Sequence, residues 1–93
     1  NIISIDKVSN FYDKTIEILL YVDAVKEVKT KKNEVMLFVD ASDEIKTISV
    51  VLFPKVYDTY KDIKPGEIYL VKAKVERRFD AYQLIANEII KVN

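Results

Sequence analysis

Residues 31–54 read KKNEVMLFVDASDEIKTISVVLFP, a pattern of two β-strands joined by a short acidic turn. Alternate positions of the first strand are aliphatic: Val35, Leu37, Val39 and Ala41. The second strand has a matching set: Ile48, Val50 and Leu52. Because successive side chains of a strand point to opposite faces, these two sets predict one shared buried face.

The opposite face of the same pair is the unusual one. It carries Met36 and Phe38 beside polar residues of the two strands, Asp40, Thr47 and Ser49, and it also includes Val51. A large aromatic side chain on an otherwise polar outer face needs a reason, because exposed apolar patches often mark binding surfaces. We therefore expect Phe38 to be the centre of a candidate binding site.

Alternation elsewhere predicts three further strands, at residues 16–29, 67–78 and 81–92. In the first of these the apolar phase slips at Val25, which indicates a β-bulge that bends the strand. Pro54 begins a predicted helix that continues to Ile63. The order is strand, strand, strand, helix, strand, strand. This order predicts an all-β, five-stranded OB-fold Greek-key barrel with one helix between strands three and four.

The predicted domain organisation is simple. Residues 1–13 form an N-terminal lead-in segment that packs on the barrel, and residues 14–93 form the OB-fold domain. The chain begins at Asn1, so we expect it to be a piece of a longer protein.

Composition argues against several functions. The chain has no histidine and no cysteine, which removes the commonest general base, the commonest metal ligand and any thiolate site. No nucleophile and base can be paired, so we predict no catalytic residues, no metal and no cofactor. Basic and acidic residues balance at 15 each, so any nucleic-acid contact must use a local basic patch. No apolar run is long enough for a membrane span, and we expect a cytoplasmic protein.

Basic residues gather in two places. Lys29, Lys31 and Lys32 precede the second predicted strand, and Arg77 and Arg78 precede the last turn. In an OB-fold the corresponding loops flank one groove, so these five side chains are candidate phosphate contacts. The alternative is a solvated charged loop, and that alternative is favoured for the mid-strand residues Lys72 and Lys74.

Two further groups have weaker signals. Phe79, at the tip of the last turn, is a second candidate for stacking on bases. Asp40, Asp43 and Glu44 could in principle hold a divalent cation, but no metal-loop pattern surrounds them. A polar hairpin turn is therefore the favoured interpretation of these carboxylates.

Three stretches carry a resemblance to a known family. They are residues 31–38, residues 48–54 followed by Tyr57 and Tyr60, and residues 70–78. Together they resemble the OB domain near the C-terminal end of the bacterial replicative DNA polymerase III alpha subunit. Asn33 and Ala73 depart from the family pattern, which has glycine there, and Leu37 stands where the family has alanine.

The resemblance implies a non-catalytic module that contacts the single-stranded DNA template and the other domains of a parent polymerase. In related anticodon-binding domains, the positions matching Phe38 and Ser49 contact bases. The expected nucleic-acid-binding residues are Phe38, Met36, Ser49, Val51, Lys29, Lys31, Lys32, Arg77, Arg78 and Phe79.

Two alternatives stay open. One is a protein-interaction module that uses an exposed patch of Met36, Phe38 and Val51. The other is a tRNA anticodon-binding domain, which would prefer RNA. We expect the fragment to be a monomer without membrane contacts.

Overall fold

The computed structural model describes residues 1–92, and its elements follow the predicted order. The elements are β1 (Ile2–Ile3), a 3-10 helix (Ile5–Phe11), β2 (Thr15–Lys29), β3 (Val35–Ser42), β4 (Thr47–Leu52), α1 (Pro54–Thr59), β5 (Ile68–Arg78) and β6 (Ala81–Lys91). The five long strands and the intervening helix confirm the predicted OB-fold. Within residues 1–92, no helix is long and apolar enough to span a membrane.

The barrel closes because β2 pairs with two partners. Its first half is antiparallel to β5 and its second half is antiparallel to β3. The circuit continues through the antiparallel pair β3–β4, the parallel pair β4–β6 and the antiparallel pair β6–β5. The register of β2 shifts between Val22 and Ala24, which is the bulge that the sequence predicted. A bulge increases the local bend, and so one strand can serve both halves of the barrel.

The core is the predicted aliphatic face. Leu37, Val39, Val50 and Leu52 are buried, together with residues of the other strands: Ile16, Ile18, Leu20, Val22, Tyr69, Val71, Ala73, Val75, Leu84 and Ala86. A second register shift lies between β5 and β6. Lys72 pairs with Glu88 and the next residue, Ala73, pairs with Ala86, so Asn87 has no partner on β5. This shift moves Ile89 into the core, which simple alternation from Ala86 would not do.

The helix is shorter than predicted. It ends at Thr59, and the next residue, Tyr60, leaves the helical region with φ −120° and ψ 50°. The apolar spacing of Val56, Tyr60 and Ile63 is real, since all three contact the core, but Ile63 reaches it from the following turn. Valine, tyrosine and threonine are modest helix formers, so nothing local extends the helix across this connection.

The N-terminal segment is part of the packed structure. β1 adds to β2 as a short parallel strand, and Ile5 and Val8 are buried in the core. The Asp43 carboxylate accepts a hydrogen bond from the Ile5 N–H at 2.7 Å, which ties the segment to the β3–β4 turn. Partial burial acts to raise the pKa of Asp43, but hydrogen bonds from the N–H groups of Ile5, Lys46 and Ile45 outweigh it and hold that pKa below its ordinary value.

Candidate nucleic-acid interface

Strand register places one row of side chains across the outer face of the barrel. Lys26 on β2 pairs with Phe38 on β3, and Phe38 pairs with Val51 on β4. Val51 pairs with Ile85 on β6, which in turn pairs with Lys74 on β5. Directly paired residues share a face and lie about 5 Å apart at Cβ. Phe38 is therefore the one aromatic member of a row whose two ends are lysines. We call this set the central row.

Burial along the central row corrects one expectation. Phe38 is half-buried and Ile85 is half-buried, but Val51 between them is only 3% exposed. The expected exposure of Val51 is wrong, because its larger neighbours on both sides of the row cover it. Val51 is also outside the main core. It therefore supports the Phe38 ring from the side, and the apolar patch of Met36, Phe38 and Val51 is smaller than predicted.

A second row lies next to the central row, and it is polar. Asp40 pairs with Ser49, and Ser49 pairs with Gln83. Asp40 and Ser49 are exposed, so their oxygens are available to a ligand. Gln83 is half-buried, and its Oε1 has no hydrogen-bond partner within residues 1–92. The site therefore combines an aromatic surface with hydrogen-bonding groups one row away.

The loop between β2 and β3 is well defined. The Thr30 N–H donates to the Glu34 carbonyl at 2.7 Å, and the Asn33 N–H donates to the Thr30 carbonyl at 2.9 Å. Asn33 has φ 66°, as predicted for a left-handed turn residue. This backbone turn presents Lys29, Lys31 and Lys32, which are all exposed. We call these three residues the lysine loop.

The hairpin between β5 and β6 carries the second set of cations. Arg78 pairs with Ala81, so Phe79 and Asp80 form a two-residue turn. Phe79 has φ 57° and is 87% exposed. The Arg77 guanidinium lies over the Tyr82 ring, with Cζ 5.7 Å from the ring centre, and Arg78 lies at 5.9 Å over Phe79. The hairpin thus presents two cations together with two aromatic rings.

Turns of this hairpin type usually have glycine at the first central position, because φ is positive there. An L-residue in that region costs roughly 1–2 kcal/mol. Here phenylalanine occupies it and is held away from the barrel in solvent. Such an exception often accompanies a function of the exposed side chain.

The two basic elements lie at opposite ends of the same face. β4 and β6 run parallel, so the β5–β6 hairpin lies near the Thr47 end of β4. The lysine loop precedes β3 and therefore lies near the Leu52 end of β4. A chain that crosses the strands over Phe38 would pass between these two basic elements. The ion pairs within residues 1–92 are Lys61–Asp58, Lys74–Asp13 and Lys91–Glu67, so neither element is neutralised.

Two charged side chains near this face, Lys74 at the end of the central row and Asp43 in the β3–β4 turn, already have partners within the barrel. Lys74 Nζ lies 3.1 Å from Asp13 Oδ1, and this pairing raises the pKa of Lys74. The Asp43 carboxylate is already hydrogen-bonded within its own turn, because it also accepts from the N–H groups of Ile45 and Lys46 at 2.8 and 2.9 Å. Tyr57 and Tyr60 pack against the core.

Sequence analysis did not assign two residues next to this site, Ile85 and Tyr82. Ile85 belongs to the central row only because β6 pairs with β4, a contact between distant parts of the chain. Tyr82 lies within the last predicted strand, and it pairs with Arg77 across the short hairpin. Lys26 joins the central row because the bulge in β2 sets its pairing with Phe38.

The closed barrel, the parallel β4–β6 pair and the face between two basic turns define an OB-fold domain of the nucleic-acid-binding type. The chain belongs to the tRNA anti-codon family, described as an OB-fold nucleic acid binding domain, whose match covers residues 21–92. No curated protein sequence matches the chain significantly.

Solved structures show the same fold at low identity. A domain of replication protein A from Methanococcus maripaludis is 14% identical, with a TM-score of 0.83 over 99% of this chain and 96% of that one. A putative aspartyl-tRNA synthetase from Leishmania major Friedlin is 19% identical, with a TM-score of 0.76 over 98% of this chain and 20% of that one. Rim1, a mitochondrial single-stranded DNA binding protein of S. cerevisiae, is 15% identical, with a TM-score of 0.66 over 85% of this chain and 95% of that one.

Proposed function

We propose that this domain binds single-stranded DNA across the face centred on Phe38. The base-stacking residue is Phe38, with Met36 beside it and Phe79 as a second stacking point at the hairpin. The lysine loop, Arg77 and Arg78 contact phosphates. Ser49 lies one row from Phe38 and contacts a base, while Val51 supports the Phe38 ring.

The observation that carries this proposal is the placement of Phe38. A half-buried aromatic ring lies in the central row, between two elements whose cations have no carboxylate partners within residues 1–92. Stacking on aromatic side chains combined with a basic groove is how sequence-tolerant single-strand binders work. The similarity to a replication protein A domain and to Rim1 agrees with this chemistry.

We further propose that the domain is an accessory, non-catalytic module of a bacterial replicative DNA polymerase, the DNA polymerase III alpha subunit. The support is the resemblance of residues 31–38, 48–54 with Tyr57 and Tyr60, and 70–78 to that subunit's OB domain. The balanced net charge implies that the domain alone binds DNA weakly. Tethering to the polymerase compensates for this weak affinity, because it raises the effective concentration of the domain at the template. The parent enzyme would act in the cytoplasm.

The test is the salt dependence of binding to a fluorescent 12-nucleotide DNA of mixed sequence, measured by anisotropy. We expect binding that weakens steeply with salt, because each neutralised phosphate contributes about −0.7 to the slope of log K against log salt. The double variant Lys31→Gln/Lys32→Gln should make that slope shallower by about 1.4.

The matched control is Lys7→Gln/Lys64→Gln, which removes the same charge from exposed positions away from the face. It should leave the slope nearly unchanged. Equal effects of the two double variants would contradict a specific phosphate path. If the folded domain binds no DNA at low salt, the proposal fails and a protein-interaction module becomes the better reading. Tighter binding to RNA of the same sequence would favour an anticodon-binding role.

A further inference from the structure

A cleft of about 490 Å³ opens on the proposed DNA face, between Asp40 and the β5–β6 hairpin. Its lining includes Asp23, Asp40, Thr47, Ser49, Ala81 and Tyr82. Clefts that hold small organic groups typically enclose about 300–1,000 Å³. The cleft is therefore large enough for one nucleobase. It continues the polar row beside Phe38.

The bulge in β2 explains how a second carboxylate comes to the cleft. Val22 pairs with Ala41 and Ala24 pairs with Asp40, so Asp23 is the extra residue at the bulge. Bulges redirect side chains at strand positions where regular alternation would not place them. As a result, Asp23 and Asp40 line the same cleft although they lie on neighbouring strands.

The lining of the cleft has more hydrogen-bond acceptors than donors. The two carboxylates are acceptors only, while Thr47 and Ser49 contribute hydroxyl groups that either donate or accept. None of the lining residues is a lysine or an arginine. The cleft therefore repels a phosphate and favours a neutral group that presents hydrogen-bond donors. Tyr82, which is half-buried against the core, closes one side of the cleft.

A nucleotide would enter this cleft with its base first. The Arg77 guanidinium lies over the Tyr82 ring, at the edge of the cleft, where it can hold the phosphate that the carboxylates exclude. Phe38, two residues before Asp40 on the same face, would stack on the neighbouring base. The cleft is thus placed to hold the base next to the one that stacks on Phe38.

We propose that this cleft is a base-reading subsite that prefers guanine, an inference that rests on the proposed DNA binding. Single-stranded bases are read through their Watson–Crick edges. Guanine presents two adjacent donors on that edge, N1–H and the N2 amino group, and a carboxylate accepts both at once. Cytosine, adenine and thymine each offer one donor group there. Asp40 is the acceptor in the cleft, and Asp23 strengthens the preference for donors.

The experiment compares nine-nucleotide strands of thymidine that carry one central dG, dC, dA, dT or deoxyinosine, with affinity measured by fluorescence anisotropy. The dG strand should bind about five- to tenfold more tightly than the dT strand, at the lower end of the range for a bidentate base contact. Deoxyinosine keeps N1–H but lacks the 2-amino group, so it has a single donor, as thymine has, and should bind close to the dT strand.

Two variants with the same change of charge complete the test. Asp40→Asn should reduce the dG preference below twofold while binding to the dT strand is retained. Asp80→Asn, which alters a carboxylate on the hairpin outside the cleft lining, should keep the preference. Equal affinity for the dG and dT strands overturns the guanine subsite and leaves DNA binding intact. No binding to any strand overturns the DNA-binding proposal and the subsite together.

Discussion

Two regions of the barrel surface expose apolar side chains, and they differ in the charged residues that surround those side chains. On the face that we propose binds DNA, the DNA face, Phe38 and Met36 are half-buried and lie between two basic turns. The second region is an apolar groove of about 520 Å³ whose lining includes Ile2, Leu19, Tyr21, Ile45 and Ile68. Ile2 and Ile45 are each 62% exposed. The charged residues in the lining of this groove are carboxylates, Asp43 and Glu44.

The comparison shows that exposed hydrophobic area alone does not identify a nucleic-acid site. The apolar groove exposes more apolar side chain than the DNA face, but its charges repel a phosphate backbone. The DNA face offers less apolar surface, with cations at both ends of a path across it. Electrostatics supplies much of the affinity for nucleic acid, so the less hydrophobic region is the better candidate.

The largest expected effect separates the two regions by affinity. Phe38→Ala should weaken binding to single-stranded DNA by about 1–3 kcal/mol, which is roughly 5- to 150-fold, because a stacked base loses its platform. Ile45→Ala, in the apolar groove, should leave the affinity unchanged. Anisotropy measures both, and circular dichroism checks that both variants fold. If the two variants lose affinity equally, the assignment of the DNA face is wrong.

The next effect concerns stability at the apolar groove. Asp43→Ala removes the acceptor of three backbone N–H groups, including that of Ile5, and should lower the free energy of unfolding by about 1–2 kcal/mol. DNA affinity at neutral pH should stay as in the original chain. Urea unfolding measures the loss, and a DNA titration measures the affinity.

The pH dependence of that loss has a definite sign. The folded pKa of Asp43 lies below its ordinary value of 3.8. Its stabilisation is therefore complete above that ordinary value and is lost as the pH falls through the lowered folded pKa. The original chain and Asp43→Ala should differ by a constant amount at higher pH and converge in acid. A difference that instead grows in acid would contradict the role of the carboxylate.

The smallest expected effect tests the strained hairpin. Phe79→Gly should raise the free energy of unfolding by about 1 kcal/mol, since glycine adopts positive φ without steric cost. The same change should weaken DNA binding severalfold if Phe79 stacks on a base. Phe79→Asn is a useful control, because asparagine tolerates the turn but has no aromatic ring. A more stable protein with unchanged affinity would show that Phe79 has no part in DNA binding.

Much of this architecture was predictable from local patterns. Alternation located all five long strands, and the phase slip at Val25 indicated the bulge in β2. The two inward sets of β3 and β4 are buried as expected, except for Val35 at the start of β3, which is half-buried. The helix was predicted too long, because Ile63 has helical spacing from Val56 and Tyr60 but reaches the core from a turn.

The site was predictable in part. Phe38 stood out because an aromatic ring on a polar strand face has no local explanation, and the two basic stretches were visible as runs of charge. Val51 was predicted to be exposed, since strand alternation assigns a face but gives no information about what covers it. Its burial depends on Ile85, which arrives from a strand more than 30 residues later.

The sequence by itself determined which residues face the core and where the chain turns, because side-chain alternation and turn chemistry act over a few neighbouring residues. Tertiary structure alone decided which outward residues meet. The parallel pairing of β4 with β6 completes the central row, and the bulge that leaves Asp23 unpaired brings it to the cleft beside Asp40. These contacts depend on barrel closure, a property of the whole chain that no short window of sequence contains.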